Sequence, residues 1–315
     1  MQKATKTLLA LMTMSSILTG CASTATSVKK GNSTLFKVGD TVVTKKKVYD
    51  TIKGNSGEDY TLEKVKEIVE KAEIKDTDKV NKKVETLYKE YVSYYGTEDD
   101  FLKQLTNYGY DTSEEFKKSQ LKTQAYEELL MEKYVEKRQD KYLKKYQPTV
   151  VRVLAVDDRI KAKAAMEELD KGTSWDDVYT KYTSENGSFK NEDKVLMTTE
   201  TDIKAKDVKA IYKDGKKGVS PKIYTPLSSG TTTRFLINVV SKDAMSDDYF
   251  KDFVTQIKSN DSDFEKTVWK HYLKKHNFKV HDQDIFNSLR VNNPEYLYEF
   301  PEFEKQAEEN STTNQ

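Results

Sequence analysis

Few residues in this 315-residue chain could do chemistry. There is one thiol, Cys21, and there are three imidazoles, His271, His276 and His281. A thiolate is a strong nucleophile, and Cys21 stands at the end of Leu18-Thr19-Gly20-Cys21, directly after a short apolar run. The imidazoles invite a metal reading. On a helix, His271 and His276 point in different directions, and no acid–histidine pair surrounds them. They read as structural histidines, and no metal is expected. No Gly-x-Ser-x-Gly elbow supports a hydrolase triad. The 12 glycines are scattered and form neither a phosphate loop nor a dinucleotide fingerprint. No cofactor is expected.

The residues around Cys21 say how its thiol is used. Met1 to Gly20 carries Lys3 and Lys6 and no acid, then an apolar stretch from Leu8 to Leu18, then small residues. This is the three-part layout of a secretory signal. The last four residues resemble the lipobox of bacterial lipoproteins. The resemblance implies that the cysteine takes a diacylglyceryl group and becomes the first residue after cleavage. Two or more acyl chains, at about 0.8 kcal/mol per buried methylene, anchor stably where one chain is marginal. The apolar run is well short of the roughly 20 residues a spanning helix needs. Residues 1–20 are thus expected to be a signal peptide and 21–34 a tether.

Composition bounds the partners. The chain carries 53 basic and 52 acidic residues, and loss of Lys3 and Lys6 with the signal leaves a net charge of −1. That balance argues against nucleic acid, whose phosphates call for a net basic face. With one cysteine, no disulfide can form within the chain, so an exported fold must rest on packing alone.

The elements that must position any site follow from periodicity. Leu35 to Val43, with Gly39-Asp40 inside it, reads as a short hairpin. Thr61 is a candidate cap for a helix holding Leu62, Val65, Ile68, Val69 and Ala72. Val80, Val84, Leu87, Tyr88, Tyr91, Val92 and Tyr95 keep helical spacing, and Gly96 stops it. Thr97 opens a short helix closed by Gly109. Thr112 with Glu115 resembles a capping box for a helix that could run to Tyr146, just before Pro148. The pattern then changes. Thr149 to Val156 reads as a strand, followed by helices over Asp158–Leu169, around Trp175–Tyr182 and over Ile203–Tyr212. Val219–Tyr224 and Arg234–Val240 read as antiparallel strands. From Ser246 to Asn277 the chain is helical again, and residues 292–315 read as a flexible tail. The second helical part needs an apolar partner, and the first part is the natural one.

Several segments, taken in order, resemble one family. They are the lipobox, Val38-Gly39-Asp40-Thr41-Val42-Val43-Thr44, Tyr95-Gly96-Thr97-Glu98-Asp99-Asp100-Phe101 and Gly109-Tyr110-Asp111-Thr112-Ser113-Glu114-Glu115-Phe116. They continue with Glu168-Leu169-Asp170-Lys171-Gly172-Thr173-Ser174-Trp175, Gly218-Val219-Ser220-Pro221 and Phe278-Lys279-Val280-His281-Asp282-Gln283-Asp284-Ile285. The chain is similar to PrsA-type foldase lipoproteins, extracytoplasmic relatives of SurA-like chaperones. The resemblance implies an α+β fold, with a mostly helical split chaperone domain over 35–148 and 243–291 and a parvulin-like domain inserted over 149–242. It implies lipid anchorage to a bacterial cell membrane of Gram-positive type. Its partners would be unfolded or partly folded secreted proteins, and a homodimer stays open.

The sequence departs from the family where isomerase chemistry would sit. Active parvulins keep facing histidines on the first and last strands; those positions fall near Val153 and Phe235 here. Asn191 to Thr199 lacks the Gly-Gly-Asp-Leu-Gly turn. The apolar pair that grips a proline ring falls near Ile203 and Val208. Rotating a prolyl amide means crossing a barrier of roughly 18–20 kcal/mol, and the polar groups that lower it are lost. The expectation is a retained fold, with Val153, Phe235, Ile203 and Val208 lining a client groove and weak or absent isomerase activity. An active isomerase and a solute-binding lipoprotein are the alternatives, although the latter needs two α/β lobes and only one mixed unit is visible. Tyr88, Tyr91 and Tyr95 share the apolar face of their helix and read as core; Tyr94 lies off it and is the candidate for client contact.

Overall fold

The structure, a computed structural model, describes residues 28–184, 194–227 and 232–313. The expected signal peptide, Cys21 and half of the expected tether, residues 21–27, lie outside these. The mostly helical α+β class is met: two small antiparallel sheets stand among many helices. The chain divides into two units. One takes in the chain up to Tyr126 and again from Lys266; the other takes in Glu127–Glu265.

The first unit opens with a two-stranded hairpin, β1 (Thr34–Val38) and β2 (Thr41–Thr44). Gly39, at φ +57°, makes the turn between them. Helix α1 (Lys45–Glu73) follows at once, capped by the Thr44 hydroxyl accepting from Lys47 N–H. Thr61, the expected cap, is instead interior to α1, and its hydroxyl donates back to the Gly57 carbonyl. The run Gly54-Asn55-Ser56-Gly57 is helical because α1 is held from outside. Glu58 accepts from Ser288, Asn292 and Asn293. Lys53 lies 3.3 Å from Asp282 and 2.5 Å from Asp284. The buried Glu73 carboxylate lies 2.5 Å from Lys275 and 2.7 Å from His276. A Cβ added at Gly54 would point into open space. Gly54→Ala is therefore expected to stabilise the chain by about 0.5–1 kcal/mol in urea unfolding; a loss would place a non-helical backbone there.

Next come α2 (Thr77–Tyr95), α3 (Glu98–Asn107) and the single turn α4 (Ser113–Phe116). Thr97 and Thr112 cap the last two. The helix expected to run to Tyr146 is interrupted twice. A π-turn spans Lys117–Leu121 before α5 (Lys122–Glu136), and α6 (Gln139–Tyr146) starts afresh after Arg138. From Lys266 the first unit resumes within α11 (Phe264–Lys275) and continues through α12 (Gln283–Asn292), a 3-10 turn at Pro294–Tyr296 and α13 (Pro301–Thr313). The tail expected over 292–315 is thus largely helical. Its apolar residues include large aromatics: Phe300 and Phe303 lie 5.4 and 6.1 Å from Phe286, centroid to centroid, and Lys270 pairs with Glu304.

Burial alone would raise the pKa of Glu58, but its donors Ser288, Asn292 and Asn293 outweigh that and hold it below the usual glutamate value. A carboxylate whose folded pKa is depressed contributes stability above its unfolded pKa, and that stability goes as pH falls through the folded value. Glu58→Gln should cost about 1–2 kcal/mol at neutral pH and flatten the loss of stability below about pH 4.5. Urea titrations of both forms across that range check it, and parallel acid limbs would refute it.

The second unit is built on a four-stranded antiparallel sheet of order β4-β3-β6-β5: β3 (Thr149–Val156), β4 (Val195–Met197), β5 (Gly218–Val219) and β6 (Arg234–Ser241). The strand expected over Val219–Tyr224 shrinks to two residues plus a bridge from Tyr224 to Phe235, because Pro221 cannot donate to a ladder. Helices α7 (Arg159–Asp170) and α8 (Trp175–Tyr182) cover one sheet face, where Leu154, Val156 and Leu236 meet Ala162, Ala165 and Val178. Helix α9 (Ala205–Asp214) covers the other. The unit exceeds the expected 149–242 insert at both ends. Tyr146 meets Phe253 of α10 (Asp247–Asn260) at 6.2 Å, and Tyr142 meets Phe264 at 6.0 Å. Gln256 donates to the Leu196 carbonyl at 2.8 Å.

Candidate functional site

The face of the sheet under α9 holds the positions singled out in the sequence. Along β3, Val151, Val153 and Ala155 point one way, and Phe235, Ile237 and Val239 do so on β6. Register sets Val153 against Ile237 and Ala155 against Phe235. Val208 and Ile211, one turn apart on α9, pack onto this face with Ile203, Met197 and Tyr224. The four expected groove residues do come together, but as core. Val153 is 2% exposed and Phe235 1%, and Ile203 and Val208 are fully buried. Around Val153 and Phe235 the described apolar side chains close on one another. No polar group at Val153 or Phe235 needs access to water or substrate, so nothing opposes the collapse.

A small polar group borders this core. Ser220 Oγ and the Tyr224 hydroxyl are 2.6 Å apart. Lys222 Nζ is 2.5 Å from the largely buried Asp207 carboxylate and 5.4 Å from the centre of the Tyr224 ring. Burial pushes the Tyr224 hydroxyl up, with the hydrogen bond shared with Ser220 and the Lys222 charge opposing and the Asp207 charge adding. It stays protonated at neutral pH, and both it and Lys222 are already engaged. Sequence reasoning missed this set, since no periodicity links Asp207 to Lys222 across fifteen residues.

The second candidate lies in the first unit, at the end of α2. Phe101 of α3 is buried at its centre. Tyr91 and Tyr95 stack on it at 5.9 and 5.3 Å, while Tyr88 and Phe116 approach at 5.7 Å in tilted and edge-on poses. Tyr94 stands edge-on to Tyr95 at 5.1 Å, and Tyr110 edge-on to Phe116 at 5.3 Å. Tyr88 is core, with its hydroxyl donating to Glu98 at 2.9 Å and Lys117 held 4.3 Å above its ring. The π-turn that carries Lys117 starts directly after Phe116. Tyr91, read from spacing as core, is partly exposed because the short α3 covers only part of the α2 face. Tyr94 is 84% exposed and Tyr108 67%. Acids rim this surface: Glu98, Asp99 and Asp100 open α3, and Glu114 and Glu115 open α4. Such a surface offers adaptable apolar contact with hydroxyl tips, and the acids favour segments carrying lysine or arginine.

Among the described residues no group of His, Cys, Asp and Glu could hold a metal ion. His271 lies edge-on to Tyr272 at 5.0 Å, and His276 bonds Glu73.

No family model matches the chain. Over 277 residues it is 27% identical to foldase protein PrsA 2 of Bacillus cereus, across 85% of this chain and 91% of that relative. The chain is thus similar to a PrsA-type foldase over most of both lengths. Its structure is similar to a crystal structure of foldase protein PrsA from Streptococcus pneumoniae, at 20% identity, a TM-score of 0.43 and coverage of 84% of this chain and 99% of the other. A crystal structure of peptidylprolyl isomerase PrsA from Bacillus cereus is similar at 20% identity and a TM-score of 0.41, covering 82% and 98%.

Proposed function

We propose that this PrsA-like chain is a lipid-anchored extracytoplasmic foldase that holds unfolded segments of secreted proteins without ATP, and that it does so without prolyl isomerase chemistry. The observation that carries the holding role is the exposed aromatic surface around Phe101, capped by Tyr94 and Tyr108. The similarity to a named foldase over most of both chains supports the same reading. The closed core at Val153 and Phe235 supports the absence of isomerase chemistry: among the described residues around it, apolar side chains fill the space a prolyl ring would need and supply no donor for a twisting amide.

Residues 22–315 should suppress aggregation of several unfolded clients at near-stoichiometric ratios, and no effect on any of them would sink the holding role. A protease-coupled proline assay should give rates near the uncatalysed one; rates like those of an active parvulin would favour the alternative of an active isomerase. The anchor rests on the sequence around Cys21. Cys21→Ala should move the protein from the membrane fraction to the soluble one with its fold intact, and an alanine form that stays membrane-bound would refute lipidation.

A further inference from the structure

Among the described residues no layer covers the hairpin β1–β2. Its two strands pair there only with each other, and an isolated two-stranded sheet is marginal in water without a surface to pack on. Val38 is 71% exposed and Phe36 52%, and Leu35 and Val42 are exposed beside them. Charge is concentrated in the same place. From Cys21 to Lys47 the chain carries Lys29, Lys30, Lys37, Lys45, Lys46 and Lys47 against a single acid, Asp40, although its overall charge is balanced. Lys46 is paired with Asp50, and Lys45 donates to the Lys29 carbonyl. A cleft of about 330 Å³ at the base of the hairpin has Lys30, Lys46 and Asp50 on its wall. Apolar side chains interleaved with lysines are the chemistry that settles at the boundary between headgroups and acyl chains of an anionic bilayer.

Chain length adds a geometric limit. Thr34 lies thirteen positions after Cys21. At about 3.3–3.6 Å per residue the two lie at most roughly 45 Å apart. If Cys21 carries the lipid, as proposed above, the hairpin cannot lie farther than that from the surface. We infer that the hairpin docks on the anionic membrane surface, with Phe36 and Val38 entering the headgroup region and Lys37, Lys45 and Lys47 meeting lipid phosphates. The tether then ends in a second, non-covalent membrane contact, which holds the first unit at the bilayer.

Residues 22–315, which lack Cys21, separate this contact from lipidation. In co-sedimentation they should bind vesicles of phosphatidylcholine with phosphatidylglycerol, bind phosphatidylcholine alone far less, and release in high salt. Lysines near such a surface contribute roughly fivefold each, so Lys37→Gln/Lys45→Gln/Lys47→Gln should weaken partitioning about 100-fold. Phe36→Ser/Val38→Ser should also weaken it, and both variants alter only exposed side chains. Equal binding to both vesicle types, or variants that partition like the parent, would overturn the inference while leaving the anchor at Cys21 untouched. A dimer in sedimentation velocity that Phe36→Ser dissociates would overturn it as well, assigning the hairpin to a second copy of this chain.

Discussion

Phe235→Ala lowers the stability of the second unit by about 3–5 kcal/mol and leaves proline isomerisation at the uncatalysed rate. Phe235 is buried on β6 among Val151, Val153, Ile203, Val208 and Tyr224. Deleting a ring from such a site loses its transfer energy and leaves a cavity that the sheet and α9 can only partly close. The prediction separates core from groove. A side chain lining an open groove would cost little to truncate, and its loss would alter peptide binding instead. Because the chain has two units, a single unfolding midpoint is the wrong observable. Hydrogen exchange of the amides in β3 and β6 reads the second unit directly. A cost below about 1 kcal/mol would reopen the groove reading. Val153→His/Phe235→His makes the complementary test. Two imidazoles placed in this core lose their water without gaining partners, so the pair destabilises the sheet and restores no isomerase activity. A recovered rate would mean that the seat exists and only its polar groups are missing.

Positions were easier to read from the sequence than exposure. The β-branched run Thr149–Val156 marked β3, and resemblance placed Val153 and Phe235 on one sheet face. Alternation along a strand says which residues share a face, but not whether a helix covers it. The clue was available in α9: Val208 and Ile211 form an apolar stripe that has to be buried somewhere. Local propensity misled in α1, where Gly54-Asn55-Ser56-Gly57 has loop composition. Contacts of Lys53 and Glu58 with residues more than two hundred positions away keep that stretch helical, and no window of sequence contains them. The π-turn at Lys117–Leu121 and the restart after Arg138 are likewise invisible to a 3.6-residue period. Aromatic positions fared in between. Spacing identified Tyr88 as core and set Tyr94 apart, but Tyr91 depended on how much of α2 the ten-residue α3 could cover.

Tyr94→Ser/Tyr108→Ser should abolish most client holding while leaving stability nearly unchanged. Both rings are largely exposed, and surface substitutions of this kind usually stay within about 0.5 kcal/mol. Exposed aromatics that anchor a bound chain lose about 2 kcal/mol each when truncated, so the pair should weaken client binding by two to three orders of magnitude. Aggregation suppression would then need correspondingly more protein. Tyr88→Ala supplies the contrast. Its ring is packed on Phe101 beneath Lys117, and its hydroxyl is bonded to Glu98, so it should lose stability first and holding only as a consequence. Salt adds a second discriminator. With Glu98, Asp99, Asp100, Glu114 and Glu115 around the surface, capture of lysine-rich clients should weaken as ionic strength rises, while capture of neutral apolar clients should not. Wild-type holding by the Tyr94→Ser/Tyr108→Ser form, at unchanged stability, would move the client site off this surface.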